Sequence, residues 1–288
     1  MADASALAPA KVNLFLHVGP IDADGYHPLA SLVAFADVGD RISVSPAERL
    51  SLTVSGPFAA GLAGEGDNLI LRAVRALADA AGLPEPGLAF TLDKRLPIAA
   101  GLGGGSSDAG AALKLARDAL GLSLDDAALA DVAAVVGADG PMCLHARAAW
   151  AEGRGDRLTF EPALPCLPAV LINPGAPSPT GPVYRAYDSG PLAAADRPGP
   201  PPSWSPSDVI HWLSAQRNDL QAPAVALEPL IGQALAQAAD LPEVRLVRMS
   251  GSGATVFALF ETTEAARFAA DALSAHRPDW WVRSTILA

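Results

Sequence analysis

Residues 96–113 read LPIAAGLGGGSSDAGAAL. Gly101, Gly103, Gly104 and Gly105 lead into Ser106 and Ser107, and an alanine-rich helical pattern follows as far as Gly121. Glycine lets the backbone adopt positive φ and lets a ligand approach without a Cβ in the way. A serine at the helix start caps it. The positive end of that helix favours an anion, and phosphate is the usual one. The stretch therefore predicts a triphosphate cradle. Two other cradles fail on spacing: a Walker A loop needs Lys-Ser or Lys-Thr where Ser106-Ser107 stand, and a dinucleotide fingerprint counted from Gly101 needs glycine at Ser106.

The whole chain sets bounds on what such a cradle serves. It has 288 residues, half of them hydrophobic, enough for two domains. Twenty Lys and Arg against 31 Asp and Glu leave a net charge of −11, which argues against a nucleic-acid surface. Near the glycine run, however, Lys94, Arg95, Lys114 and Arg117 outnumber Asp108, so one anionic small molecule is still compatible. Cys143 and Cys166 are too few for a disulfide scaffold and too far apart for a zinc site, and read as buried free thiols. No basic n-region with an apolar core opens the sequence, and the longest uncharged run, 162–184, carries too many prolines for a membrane helix. A cytoplasmic protein is expected.

Periodicity places the other elements. Residues 10–18 alternate, with Val12, Leu14, Leu16 and Val18 on one face and Lys11, Asn13, Phe15 and His17 on the other, so a strand is predicted. Its polar pair reads equally well as the solvent side of an edge strand. Residues 22–28 form a turn carrying Tyr26 and His27, and 41–55 read as a hairpin around 46–49. A helix over 67–81 is capped by Asp67, a strand covers 88–93, and a helix over 125–136 ends at Gly137. The tight turn Gly137-Ala138-Asp139-Gly140-Pro141 then carries one carboxylate. Proline becomes frequent past 160, so two domains are expected, 1–160 and 161–288. In the second lie strands over 169–173, 244–249, 254–260 and 280–287, and helices over 207–216, 219–239 and 264–276. A proline-rich surface loop covers 188–206, and Ser250-Gly251-Ser252-Gly253 make a second glycine turn. No internal repeat is found.

Four of these stretches share a likeness. Pro97-x-x-x-Gly101-Leu102-Gly103-Gly104-Gly105-Ser106-Ser107, the segment PAKVNLFL at 9–16, the turn around Asp139 and the turn 250–253 resemble the motifs of the GHMP kinases. That superfamily includes galactokinase, homoserine kinase and mevalonate kinase. The triple glycine is similar in particular to the branch acting on a cytidine-diphosphate-linked methylerythritol. The resemblance implies a two-domain α+β fold. Its N-terminal α/β domain would be like the second domain of ribosomal protein S5, with a left-handed βαβ crossover. Its C-terminal domain would be ferredoxin-like and the active site would lie in the cleft.

The resemblance also implies ATP and Mg²⁺ as cofactors, the Mg²⁺ bridging ATP oxygens with Ser107 as a candidate contact and no assigned metal ligand, and phosphorylation of the 2-hydroxyl of that small-molecule substrate in the non-mevalonate isoprenoid pathway. Neither nucleic acid nor membrane is expected as a partner, and the chain would be a monomer or weak dimer. Asp139 becomes the general base, with Lys11 in support. Asn68, Lys94, Pro97, Gly101, Leu102, Gly103, Gly104, Gly105, Ser106 and Ser107 fall on ATP-binding positions. Asn13, Tyr26, His27, Asp139, Thr180, Tyr184, Gly251 and Ser252 fall on substrate-binding ones, with Tyr26 and Tyr184 stacking on opposite sides of cytosine. Asn218 carries a mainly structural signature. Gly140 replaces the usual valine, a departure expected to loosen the turn after Asp139. A homoserine- or mevalonate-type kinase, or a catalytically inactive nucleotide-binding protein on the same fold, are the alternatives.

Overall fold

The computed structural model describes residues 4–62 and 68–288. Two compact units divide the chain without a single cut near 160. One comprises the chain up to Lys11, Val38–Ile98 and Gly103–Ala146; the other comprises Val12–Asp37, Ala99–Leu102 and Arg147–Ala288. The long strands β1 (Ala4–Val18) and β2 (Leu29–Pro46), which pair with each other, each run through both sets of residues. Both faces of β1 are covered: Lys11, Asn13 and His17 are no more than 7 % exposed, so the polar pair does not face solvent.

In the first unit, β2 is followed by β3 (Ser51–Ser55), α1 (Leu69–Ala80) and β4 (Leu88–Asp93). The expected hairpin over 41–55 does not form. β4 pairs antiparallel with β2, from Arg41↔Asp93 to Pro46↔Leu88, and parallel with β3. The reason is the crossover: α1 carries the chain back so that β4 runs alongside β3 in the same direction. Asn68 caps α1 by accepting from the Ile70 N–H at 2.9 Å; the expected cap, Asp67, lies outside the described residues. Three more helices follow, α2 (Gly104–Ala119), α3 (Asp126–Val136) and α4 (Gly140–His145). Ile42, Val44, Phe90 and Leu92 of the sheet bury against Ile70, Val74 and Leu77 of α1, Leu113 and Ala116 of α2, and Leu129 of α3.

A hairpin of β5 (Ala149–Gly153) and β6 (Arg157–Phe160) opens the last stretch of the second unit. Then come β7 (Leu167–Asn173), α5 (Thr180–Asp188), α6 (Pro206–Ser214), α7 (Gln221–Leu227), α8 (Pro229–Ala239), β8 (Leu246–Met249), β9 (Val256–Leu259), α9 (Thr263–His276) and β10 (Trp281–Leu287). Strands β10, β7, β9 and β8 lie in that order, every neighbouring pair antiparallel. With α8 and α9 in the connections this is the split βαβ arrangement of a ferredoxin-like unit. The single helix expected over 219–239 is broken, because Pro229 has no N–H to continue α7 and instead starts α8 after an extended Glu228. Helix α5 was not foreseen. The 188–206 segment is pinned rather than merely superficial: Asp196 O meets His17 Nδ1 at 3.0 Å and Ala194 O accepts from Arg217 at 2.7 Å. Arg248, buried on β8, donates to the carbonyls of Leu14, Leu213 and Gln216, and burial pulls its pKa down to about 10.

A buried ionic hub braces the glycine run in the first unit. Lys94 Nζ lies 2.7 Å from Oδ2 of both Asp40 and Asp108, with Lys94 and both carboxylates buried. Asp40 also accepts the backbone N–H groups of Arg95 and Leu96 at 2.6 and 2.8 Å. Burial pushes Asp108 up from 3.8 to about 7, and the pull of Lys94 offsets only part of that. A carboxyl with a raised folded-state pKa binds its proton more tightly in the folded chain, so its contribution is most favourable below pH 4 and is lost as pH climbs toward 7. The melting temperature of Asp108→Asn minus that of the parent chain should therefore grow as pH rises from 4 to 7. A difference that stays constant across that range, measured by thermal melts in matched buffers, would contradict this account.

Candidate active site

Lys11 and Asp139 are 128 residues apart in sequence but meet within the first unit. Lys11 projects from β1, almost wholly buried, and its Nζ lies 3.3 Å from Asp139 Oδ2, whose side chain is 40 % exposed. Two glycines make the meeting possible. Gly103 has a left-handed φ of 61°, and a Cβ there would come within 3.2 Å of the Lys11 stem. Gly140 follows Asp139, and a Cβ on it would fall 2.2 Å from the Ala133 carbonyl of α3. Valine in its place would not fit, so glycine here tightens the packing of α4 on α3 rather than loosening the turn. Asp139 stands at the N-cap position of α4, a helix that sequence reading took for a turn. Beneath it the Cys143 thiol is buried, and burial together with Asp139 pushes it up to about 12, which keeps it an inert packing group. Cys166, by contrast, is exposed, not buried as expected.

Helix α2 begins beside this pair. Its N-cap is Gly103, with no side-chain capping bond, so the expected serine cap does not exist. Gly104, Gly105 and Ser106 occupy the first turn, where N–H groups have no partner four residues back. Ser107 is fully buried and donates its backbone N–H to Gly103 O at 2.9 Å. The positive helix end thus presents main-chain donors unobstructed by side chains. The local excess of positive charge inferred from sequence is absent. Lys94 is held by Asp40 and Asp108, Arg95 by Asp93, and Lys114 and Arg117 by Asp126. Lys94 thus braces the start of the run at Pro97 through its two carboxylate partners. Among the described residues no three metal-ligating side chains gather.

The glycine run changes unit between Leu102 and Gly103. In the second unit, a Cβ on Gly101 (φ 73°) would fall 2.3 Å from Ser250 O, so the first glycine is needed for close approach to the turn 250–253. The Ser250 hydroxyl donates to Gly101 O at 2.9 Å and accepts the Asn13 N–H at 3.1 Å. Leu102 is buried. Asn218 supports the same turn, donating to the carbonyls of Met249 and Gly251, both at 2.8 Å. Thr180, at the start of α5, brings its hydroxyl 3.1 Å from that of Ser252.

One turn along α5, Tyr184 lies with its ring 5.0 Å from that of His27. His27 donates from Nδ1 to Gly19 O at 2.8 Å, and its Nε2 lies 3.3 Å from Asp188. Both ring nitrogens are thus already engaged. Tyr26 is exposed and carries the Arg154 guanidinium 3.9 Å over its ring, so the two expected stacking tyrosines have different partners. Sequence reading missed Asp40 and Asp188; an aspartate inside an apolar strand pattern was the only hint for the first.

Comparison with known proteins shows the family. The GHMP kinases N terminal domain matches residues 68–147, and the GHMP kinases C terminal domain matches 208–279. A Caulobacter vibrioides 4-diphosphocytidyl-2-C-methyl-D-erythritol kinase is 57 % identical over 282 residues, covering 97 % of both chains. A Methylobacterium radiotolerans protein of the same name is 52 % identical over 287 residues, covering 97 % of both. A crystal structure of 4-(cytidine 5'-diphospho)-2C-methyl-D-erythritol kinase superposes with TM-score 0.78 at 37 % identity over 99 % of both chains. Homoserine kinase from Cytophaga hutchinsonii, at 17 % identity and TM-score 0.66 over 99 % of this chain and 96 % of its own, shares the fold. The chain belongs to the 4-diphosphocytidyl-2-C-methyl-D-erythritol kinase family of the GHMP kinases.

Proposed function

We propose that this chain transfers the γ-phosphoryl group of ATP to the 2-hydroxyl of 4-diphosphocytidyl-2-C-methyl-D-erythritol, giving the 2-phosphate and ADP on the non-mevalonate route to isoprenoid precursors. The observation that carries the reading is the 3.3 Å contact of Lys11 with Asp139 beside the glycine-opened end of α2. Phosphoryl transfer asks a protein chiefly for positioning and charge neutralisation. The N–H groups of 104–106 hold nucleotide phosphates. Asp139 accepts the proton of the acceptor hydroxyl, and the Lys11 ammonium stabilises the negative charge that develops on that oxygen. Mg²⁺ arriving on the nucleotide would neutralise phosphate charge while keeping most of its water.

On the substrate side, Tyr184 offers a flat face to a base, and His27 stands beside it. Thr180, Ser252 and Asn13 offer hydroxyl and amide groups to the rest of the substrate. The alternatives of a homoserine- or mevalonate-type acceptor have no base for these rings to meet. The purified chain should release ADP with the cytidine substrate and far less with homoserine or mevalonate. ADP release with either of those alone would overturn the substrate assignment, and ATP binding without ADP release under any acceptor would overturn the kinase reading.

Asp139→Asn should lower kcat by about 10²- to 10⁴-fold, the weight of a general base, while leaving the thermal melt close to that of the parent chain. Lys11→Met in the Asp139→Asn background should cost much less than Lys11→Met alone, since the two act as a unit. Tyr184→Ala should raise KM for the cytidine substrate by about tenfold, in line with base stacking on an aromatic ring, and leave KM for ATP unchanged. Equal rises in both constants would remove Tyr184 from the base subsite.

A further inference from the structure

The turn 250–253 of the second unit has a polarity that its surroundings impose. The peptide groups joining 250 to 253 are trans, so each carbonyl and the N–H that follows it point opposite ways. All three carbonyls are taken up by the protein. Ser250 O accepts the Gly253 N–H at 3.0 Å, Gly251 O accepts Asn218 Nδ2 at 2.8 Å, and Ser252 O accepts the Ser178 hydroxyl at 2.5 Å. The N–H groups of Gly251 and Ser252 are therefore turned the other way, and neither finds an acceptor among the described residues. Both residues are buried. Buried main-chain donors are nearly always paired, so two unpaired ones in succession mark a place built for an acceptor that the chain does not supply. Gly251 has a left-handed φ of 55°, and successive N–H groups in such a turn form an anion-binding hollow.

Two side chains latch this arrangement. Asn218 fixes the peptide 251–252 directly, and its Oδ1 is committed to the Leu220 N–H, so its amide faces the turn with nitrogen. Ser178, 3 % exposed, fixes the peptide 252–253, whose N–H in turn holds Ser250 O and with it the peptide 250–251. Beside the turn the Thr180 and Ser252 hydroxyls lie 3.1 Å apart, and whichever donates to the other, one proton remains to be given away. Thr180 stands one turn before Tyr184 on α5, about 6 Å along the helix, the separation that a ribose puts between a base and its first phosphate.

We propose that the N–H groups of Gly251 and Ser252 form an anion subsite that holds an oxygen of the substrate's diphosphate, with Ser178 and Asn218 as positioning residues that keep those donors facing outward. The proposal rests on the kinase reading above, which supplies a diphosphate-linked substrate. An N–H donates more strongly to a phosphate oxygen than to a neutral one, so the subsite distinguishes a nucleoside diphosphate from the bare nucleoside. ATP also brings a phosphate chain, and ADP serves below to separate the two sources.

Two measurements on the full chain test the subsite. In nitrogen-15-labelled chain, cytidine diphosphate should move the amide protons of Gly251 and Ser252 downfield, the sign of a hydrogen bond to phosphate, while cytidine and ADP should move them far less. Shifts of equal size with cytidine, shifts with ADP alone, or no shift with the diphosphate at saturation would overturn the subsite. In steady-state kinetics at saturating ATP, cytidine diphosphate should compete with the cytidine substrate with a Ki at least about tenfold below that of cytidine, the weight of one charge-assisted hydrogen bond. Ser178→Ala should reduce that advantage to about twofold, and leave the Ki of cytidine and the KM for ATP within about twofold of the parent chain. A loss of affinity for cytidine and its diphosphate alike would overturn the positioning role of Ser178. Diphosphate-induced shifts in a chain that phosphorylates no cytidine substrate would uphold the subsite and overturn the kinase reading. A chain that phosphorylates it without those shifts would keep the kinase reading and lose the subsite.

Discussion

The approach of one ammonium to one carboxylate, Lys11 Nζ to Asp139 Oδ2, is the interaction on which the proposed chemistry depends. It is a demanding contact because each group needs open backbone space to reach the other. Lys11 lies in a strand covered on both faces, and its stem runs where a side chain on Gly103 would stand. Asp139 sits where α3 stops and α4 starts, on a corner that holds its shape only if α4 can press against α3. The two requirements are met by the absence of side chains at Gly103 and Gly140. Backbone space, rather than charge, is the scarce resource of this corner.

A second constraint operates a few residues upstream. The main-chain donors at the start of α2 can hold an anion only if the run before them is rigid, since a floppy glycine loop loses conformational entropy on binding. Rigidity comes from the Asp40–Lys94–Asp108 hub in the first unit and from the Ser250 hydroxyl on Gly101 in the second. The hub buries two carboxylates on a single ammonium, an arrangement that is costly to desolvate and so tolerates few geometries. Its consequence is that the Lys94 ammonium is balanced within the hub. Under the proposed reading, oriented N–H groups and the helix end attract the anion, without a desolvation cost comparable to that of a buried ammonium.

Much of this was legible in the sequence because it is written in local terms. The glycine run, the alternation of residues 10–18 and the capped helices each announce themselves within a few residues, and the motif likeness extends them to a fold. What was not legible depends on partners remote in sequence. Nothing near Lys94 says that Asp40 waits for it, so the count of local charges suggested a basic pocket that the fold neutralises. Nothing near 41–55 says that β4 will lie between its two strands, because the decision is made by the crossover of α1. Gly140 looked like a loosened valine for the same reason: the Ala133 carbonyl that forbids a side chain is supplied by the packing of another helix. Proline, whose effect is local, was readable in principle at Pro229 and was passed over in favour of periodicity.

The most direct test of the central claim is a crystal structure of the chain with a non-hydrolysable ATP analogue and the cytidine substrate. The account predicts the 2-hydroxyl oxygen within about 3.2 Å of an Asp139 carboxylate oxygen, hydrogen-bond reach for a general base, with the terminal phosphate on the N–H groups that open α2. A 2-hydroxyl directed at any other acid, or phosphates seated away from that helix end, would contradict it.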